Sequence, residues 1–415
     1  MHRMRPIKLL LLLAVLLPLG ALGGSGSWSG DQVGNWSDVT KWVGGAVADG
    51  ADYTAGFVTN ITLARTVTLD SGRSIGHLTF QDTASGYFGW VLAGTNILTL
   101  DVGGGQPQIS VNTAGGTAGA TISLILAGSD GLAKQGPGPL VLSGANTFSG
   151  GVTVNQGTLT VTADNNLGAA SNDVTFTGSA QLTARGFTTA RNLVINSGVT
   201  ATSSVAGVFS VGGSISGGGT LYKVNTGVLA LLGTNTHGAT VIAGGELRGD
   251  DGVGVSSGNV NILGGGIWST GADITRALGS GSNQVQLAGP GGFSAYGAPV
   301  AVDLGGGGES IAWGSGAFGT PAPFYLNSAT ANARLTLRNA INLNSNTAQI
   351  AVLADVAEIA GVISNSAAGL AGLTKTGAGV LWLTATNAFP AQSRLTAPAG
   401  CCVRTMASAF PLWPT

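Results

Sequence analysis

Three carboxylates in the stretch GGELRGDDGVG are the residues best placed to do chemistry. Glu246, Asp250 and Asp251 lie together there, whereas the other acidic residues come singly along the chain. Such a group could bind a calcium ion, or form part of the carboxylate cleft that a polysaccharide lyase needs. A cluster of this kind is more often a solvated turn. We retain Glu246, Asp250 and Asp251 as a weak candidate metal site, and predict no catalytic residue and no cofactor.

Two short motifs match known active-site patterns but lack the elements that those patterns need. Residues 254–258 spell the G-x-S-x-G nucleophile elbow, which requires a buried strand before it, a helix after it and a histidine base. Here a loop and a strand flank the motif, and the histidines of the chain are His2, His77 and His237. Residues 314–319 match the dinucleotide fingerprint, again without a following helix. We interpret both as turns in a chain with 71 glycines.

The elements that would position these residues are short strands. Apolar residues alternate with polar ones in runs of four or five residues, most clearly between residues 132 and 161, and small or amide residues separate the runs. This pattern predicts half-buried strands joined by tight turns. The same unit returns at residues 221–247 and 371–389, with Lys134, Lys223 and Lys375 at equivalent places. One such unit cannot bury its own apolar face, so the copies indicate a stacked repeat architecture.

These copies resemble a known family, the autotransporter-associated β-strand repeat of bacterial secreted proteins. The shared pattern is K-x-G-x-G-x-L-x-L-S-G-x-N-T-x-S-G-G-x-T-V-x-x-G-T-L. The first copy matches it almost throughout, the second matches loosely, and the third stops halfway at Phe389. The resemblance implies an all-β fold, a right-handed parallel β-helix, carried to the cell surface or beyond it. It implies no catalytic residue, because the recurring positions are those of strands and turns.

Both ends of the chain depart from the repeat pattern. Arg3, Arg5 and Lys8 precede an apolar run, which indicates a signal peptide over residues 1–23 that is cleaved on export. Residues 24–55 hold three of the eight tryptophans and are interpreted as a cap on the open end of the β-helix. An aromatic platform for sugar is the alternative reading of those tryptophans. The β-helix itself is expected over residues 56–389, with no second domain.

Residues 390–415 lose the pattern at a single point. This segment contains both cysteines, Cys401 and Cys402, and four of the thirteen prolines. The codons that these residues allow are compatible, in a shifted frame, with the continuation of the third copy. We therefore predict a frameshifted, irregular tail that leaves an exposed rung prone to self-association. No translocator barrel is expected after Phe389.

Composition narrows the function. Charged residues make up 8% of the chain, with 17 basic and 18 acidic residues. Loss of the signal would remove three of the basic ones, which leaves a mildly acidic chain unsuited to binding nucleic acid. We predict a non-enzymatic structural or adhesive module that contacts polysaccharide or cell-surface components multivalently. The expected location is secreted, or on the surface of a Gram-negative bacterium, or periplasmic if not exported further, with no transmembrane segment after cleavage. A β-helix polysaccharide lyase or glycoside hydrolase is the alternative.

Overall fold

The computed structural model describes residues 23–83, 88–113, 119–319, 321–367, 369, 371–388, 394–396 and 403–405. Within these ranges the protein is an all-β solenoid of about 14 turns, in which parallel strands stack on one another. This confirms the predicted parallel β-helix. Three short 3-10 helices, Val39–Lys41, Val43–Gly45 and Asp164–Leu167, interrupt the strands. No helix in the described part of the chain has the length and apolar character needed to span a membrane.

Two long sheets begin at the amino-terminal end of the solenoid, and they grow along the chain because each turn adds strands beside those of the turn before. Sheet I consists of Gly26–Ser27, Gly50–Phe57, Arg73–Asp82, Ile97–Leu100, Gln108–Thr113, Ile125–Ala127, Leu132–Gln135, Val152–Val154, Val174–Phe176, Leu193–Ile195 and Ile215–Ser216. Sheet II consists of Gly34–Asn35, Arg65–Thr68, Trp90–Ala93, Ala120–Ile122, Pro139–Leu142, Gly157–Val161, Ala180–Arg185, Thr200–Ala206, Thr220–Val224, Ala239–Ile242, Val260–Ile262, Ala277–Leu278 and Gln284–Leu287.

Three further sheets build the second half. Sheet III consists of Thr188–Thr189, Val208–Val211, Val228–Leu231, Glu246–Arg248, Gly266–Thr270, Gly291–Ala295, Phe324–Leu326, Thr347–Ala351, Gly372–Thr376 and Arg394–Thr396. Sheet IV consists of Ile274–Thr275, Val300–Asp303, Leu335–Leu337, Val356–Ile359, Val380–Leu383 and Val403–Thr405. Sheet V consists of Ile311–Ala312, Ile341–Asn342 and Ile363–Ser364.

The strands bury alternate residues, as the sequence pattern predicts. In Val152–Val154 the two valines are buried and Thr153 is partly exposed, and the next turn repeats this with Val174, Thr175 and Phe176. Their register places like residues on top of one another, Val152 on Val174 and Thr153 on Thr175. Stacked parallel strands lie about 4.8 Å apart. The result is a continuous apolar interior surrounded by columns of small polar side chains.

The tryptophan-rich segment closes the amino-terminal end of the core. Trp28, Trp36 and Trp42 are all buried, and their rings pack against one another and against Phe57. Each indole N–H donates to a backbone carbonyl, those of Gln32, Ala48 and Trp36 respectively. Rings sealed in this way cannot stack on a sugar. The predicted cap is confirmed, and the sugar-platform alternative does not fit.

Part-way along the solenoid, one sheet ends and another begins. Sheet I ends at Ile215–Ser216, while sheet III has already begun at Thr188–Thr189, so residues 188–216 form the turns in which one sheet gives way to another. A small apolar cavity of about 10 Å³ lies in the core there, between Phe176, Ala201 and Ser203. A cavity of this volume has room for about one water molecule. The change of sheets was not predicted from the sequence.

The tail differs in part from the prediction. Arg394–Thr396 extends sheet III from Gly372–Thr376, and Val403–Thr405 extends sheet IV from Val380–Leu383. These six residues form strands within a tail that was expected to be largely irregular, because the backbone edges of the preceding turn accept a further parallel strand. The predicted signal peptide lies outside the described residues, except for Gly23, and so do Cys401 and Cys402.

Candidate functional site

The three candidate carboxylates are neighbours in sequence, but the structure gives each its own partners. Glu246 is buried on sheet III and binds Nε of Arg248 through Oε1 at 2.5 Å. Its Oε2 accepts hydrogen bonds from the hydroxyls of Ser328, at 3.1 Å, and Thr330. These two residues follow strand Phe324–Leu326, three strands farther along sheet III. The segment after that strand therefore folds back over the outer face of the sheet and is held there by Glu246.

Asp250 and Asp251 are tied to the turns that follow them. Oδ1 of Asp250 accepts from the Thr270 hydroxyl at 2.9 Å and from the Gly271 N–H at 2.8 Å. Oδ1 of Asp251 binds the guanidinium of Arg276, whose Nη2 lies at 2.5 Å and whose side chain is buried. Arg276 also donates to the carbonyls of Ser256 and Gly258.

The same kind of clamp occurs in the first half of the molecule. Asp164 binds the buried guanidinium of Arg191 on the following turn, which also donates to backbone carbonyls of the earlier turn. Asp251 thus has a structural counterpart in Asp164. Within the described residues, no group of three or more His, Cys, Asp or Glu side chains is arranged to hold a metal ion. The carboxylates of residues 246–251 act as cross-links between turns.

Neither short motif has the geometry of the nucleophile elbow or of the dinucleotide-binding turn whose sequence pattern it matches. Ser256 is buried in a turn and is followed by strand Val260–Ile262. His237 is buried on the preceding turn, where its Nε2 contacts the Thr240 hydroxyl at 2.8 Å. Burial lowers the pKa of His237 to about 4, so the ring is neutral at neutral pH. Because both side chains are sealed inside the solenoid, a substrate cannot reach them. Residues 314–319 form a tight turn that places Phe318 in the core.

The outer face of sheet I carries a polar groove that the sequence did not predict. The groove has a volume of about 350 Å³, and its lining includes Gly150 and Gly151. Gln106 also lines it, and Oε1 of this residue accepts from the Thr153 hydroxyl at 2.7 Å. Asp173 is an exposed member of the lining. The alternation of apolar and polar residues predicts that these Thr and Asp side chains point outward. The sequence does not show which turns stack beside one another, so it does not predict the groove.

Comparisons with known proteins agree with the repeat architecture. The family model described as passenger-associated-transport-repeat matches residues 132–161, 221–248 and 373–389. The chain contains passenger-associated transport repeats. A curated protein described as adhesin BmaC autotransporter, from Brucella suis biovar 1 (strain 1330), is 40% identical over 166 residues. That alignment covers 40% of this chain and 4% of the adhesin, so the chain spans a small part of its relative. No solved structure matches the chain.

The lysine that marks each passenger-associated transport repeat is a buried cross-link. Lys134 and Lys223 are fully buried, and each ammonium donates to three backbone carbonyls. Two of the carbonyls follow the lysine directly, and the third belongs to the next turn, Gln156 at 3.0 Å and Gly244 at 3.1 Å. Lys375 makes the two local bonds, to Thr376 and Gly377. Burial lowers the pKa of Lys134 and Lys223 to about 8, which leaves both protonated at neutral pH.

The asparagine of the repeat joins three consecutive turns. Asn146 accepts from the N–H of Leu126 at 2.9 Å and donates to the carbonyl of Asn166 at 2.6 Å. Asn235 does the same between Ile215 and Gly254. The side-chain amide therefore satisfies backbone groups at a bend, where the strands have no regular partners. The repeat's recurring lysine and asparagine therefore maintain the fold.

Proposed function

We propose that this chain is a stiff secreted or cell-surface module that makes adhesive contacts through its outward-facing side chains and catalyses no reaction. The observation that carries the proposal is the outer face of sheet II. Two stacked columns run along it, Thr66, Val91, Thr121, Val141, Thr160, Thr183, Ser204 and Val224, and Thr158, Gln181, Thr202, Tyr222, Val241, Asn261 and Gln286. Together they make an uncharged surface roughly 50 Å long, in which hydroxyl and amide side chains are interspersed with valines.

A surface of this kind suits many weak contacts. Each hydroxyl or amide contributes little alone, but a rigid row of them engages a repeating partner at several points at once, which raises the overall affinity. The similarity to a protein described as an adhesin supports this role. The passenger-associated transport repeats support an extracellular or cell-surface location in a Gram-negative bacterium. Polysaccharides and other cell-surface components are the partners that we propose.

The proposal predicts that the chain binds polysaccharides without cleaving them. The exported chain would be passed over immobilised polysaccharides, and bound protein and newly released reducing ends would be measured together. We expect retention and no release of reducing ends. Release that is abolished by Asp250→Asn and Asp251→Asn would instead establish a lyase or hydrolase. Because these changes also weaken cross-links between turns, thermal unfolding of each variant serves as the control for folding.

The location has its own test. Cells that express the full chain would be separated into medium, periplasm and membranes. We expect the chain in the medium, in the periplasm, or on the surface in a form that carbonate washing removes. Retention in outer-membrane fractions after that wash would contradict the proposal.

A further inference from the structure

The polar groove on sheet I has chemistry that distinguishes between classes of polysaccharide. We infer that this groove binds a neutral, hydroxyl-rich glycan and disfavours acidic ones. The inference rests on the proposed adhesive function and adds a site and a ligand class to it. The argument depends on the groups that line the groove, on the charges that are missing from the lining, and on the direction in which the polar surface continues.

The lining offers both hydrogen-bond donors and acceptors. Thr153 and Thr175 stack on adjacent turns and are partly exposed, so their hydroxyls lie about 4.8 Å apart along the solenoid axis. Gln106 adds an amide, held in place by Thr153 and by the Gly150 carbonyl at 3.2 Å. Asp173 adds a carboxylate, which only accepts. Sugar hydroxyls both donate and accept, so they can satisfy all of these groups.

The charge of the groove is negative. Asp173 is the charged member of the lining, and no described residue lining the groove is a lysine or arginine. The cations nearest to it along the chain do not line the groove, because Lys134 is buried against backbone carbonyls, Arg191 is buried against Asp164, and Arg185 ends a strand of sheet II. A uronic acid or a sulfated sugar would bring a second negative charge to Asp173 with no cation in the lining to balance it. That repulsion disfavours acidic glycans.

Two glycines in the lining shape the groove in different ways. Gly150 and Gly151 both have positive φ angles, 93° and 86°, which L-residues rarely adopt. A Cβ on Gly151 would have the Asp173 carbonyl as its nearest neighbour at 3.7 Å, whereas a Cβ on Gly150 would meet backbone atoms of residues 129 and 131 at 2.5 Å. Gly151 therefore leaves the groove open, and Gly150 lets the neighbouring turn approach closely. The second repeat has only Gly238-Ala239 in place of the serine-glycine-glycine step, so the full step belongs to the first copy.

The polar surface continues from the groove along the solenoid. Oδ1 of Asp173 accepts from the Asn192 amide of the next turn at 3.1 Å, and Asn192 in turn accepts from the Ser214 hydroxyl and N–H at 3.0 Å. These residues precede the stacked strands of sheet I, so they form a polar ladder parallel to the axis. A ligand lying in the groove meets this ladder beyond it. The geometry fits a chain of sugars better than a single one.

The test compares two polysaccharides and two tryptophan variants. The full exported chain would be titrated with a soluble neutral glucan and with polygalacturonate at low salt. Thr153→Trp fills the groove, and its matched control is Thr188→Trp, which changes an exposed threonine of sheet III outside both the groove and the outer face of sheet II. We expect binding of the glucan but not of polygalacturonate, and about tenfold weaker glucan binding for Thr153→Trp. Thr188→Trp should bind like the native chain, and thermal unfolding should show that both variants fold.

A charge reversal tests the selectivity directly. Asp173→Lys should gain affinity for polygalacturonate, and this gain should fall as salt is added, because the new attraction is electrostatic. Equal binding of both polysaccharides by the native chain would overturn the inference. So would equal glucan binding by Thr153→Trp and Thr188→Trp, which would place the contact elsewhere and leave the adhesive function standing. A native chain that is retained on no polysaccharide or cell surface would overturn the proposed function as well.

Discussion

His237 stands where the first repeat has Phe148 and the third has Phe389. Phe148 is an apolar core residue, whereas His237 places an imidazole in the same buried environment and satisfies it at Nε2 through Thr240. Val152 occupies the place of Thr240 in the first repeat. The second repeat has thus exchanged an apolar pair for a polar one. The exchange makes this turn sensitive to acid.

The double variant His237→Phe/Thr240→Val should remove that sensitivity. The pKa of His237 is lowered to about 4 in the folded chain, against 6.5 for the unfolded residue. Between these values the unfolded state binds more protons, so this group's contribution to stability is complete above pH 6.5 and is lost as the pH falls toward 4. The slope is about 1.4 kcal/mol per pH unit. Urea unfolding between pH 4.5 and 7.5 measures it. We expect a shallower dependence for the double variant than for the native chain or for His77→Gln.

The repeat lysine offers a second prediction at this scale. Lys223→Met keeps an unbranched side chain but removes the ammonium, so the carbonyls of Val224, Asn225 and Gly244 lose a donor inside the core. Unsatisfied buried carbonyls are costly, and the free energy of unfolding should fall by at least about 2 kcal/mol. Denaturant unfolding checks this. The control is Arg185→Met, at an exposed position, which should change stability little. An unchanged free energy of unfolding for Lys223→Met would mean that the hydrogen bonds of this lysine contribute little to stability.

At the scale of elements, the amino-terminal cap is the clearest case of a sequence prediction with a structural test. Trp36 is fully buried and donates to the Ala48 carbonyl at 2.9 Å. Trp36→Ala should lower the free energy of unfolding by about 3–5 kcal/mol, because it opens a large cavity in the cap. Val39→Ala, at an exposed position of the same segment, should have little effect. Polysaccharide binding by folded Trp36→Ala should equal that of the native chain, and a selective loss of binding would revive the sugar-platform reading.

The strands and turns were predictable because their pattern is local. Alternation identified Val152–Val154 and its neighbours, and the repeats identified Lys134 and Lys223 as equivalent. The contacts between turns were not predictable, since they depend on the number of residues in each turn. Glu246 illustrates this, because its hydroxyl partner Thr330 is 84 residues away. The polar groove escaped prediction for the same reason, as its lining comes from turns that the sequence does not align.

The break in the pattern at residue 390 remains a prediction about the gene. Arg394–Thr396 and Val403–Thr405 pair with the preceding turn, so the tail contributes strands despite its altered composition. Strand pairing uses backbone groups and tolerates many side chains, so it does not contradict a shifted frame. The nucleotide sequence decides the matter. The alternative frame should continue the third repeat through the codons for Leu-Arg-Ala-Asp-Asp-Gly, and an earlier stop codon would refute the frameshift.

At the scale of the whole molecule, the protein behaves as a row of stacked turns in which each turn contacts its neighbours. The stability of such a row is approximately a sum of turn and interface terms, so a weak interface in the middle limits cooperativity. The turns of residues 188–216 are the natural weak point, because sheet I gives way to sheet III there and the core contains the cavity beside Ala201 and Ser203.

Ser203→Val should strengthen this junction. The side chain points inward, since Ser203 is buried and stacks between Leu182 and Lys223, and its hydroxyl is a buried polar group for which the described residues provide no hydrogen bond. Valine removes the unsatisfied hydroxyl and fills part of the cavity, which should raise the free energy of unfolding by about 1 kcal/mol. The neighbouring Ser204→Val is the matched control and should destabilise the chain, because the Ser204 hydroxyl accepts a hydrogen bond from the Asn225 side-chain amide at 2.6 Å.

Calorimetry distinguishes the outcomes. If residues 188–216 limit cooperativity, Ser203→Val should raise the melting temperature and sharpen the transition, whereas a gain confined to one of two separate transitions would place the weak interface elsewhere.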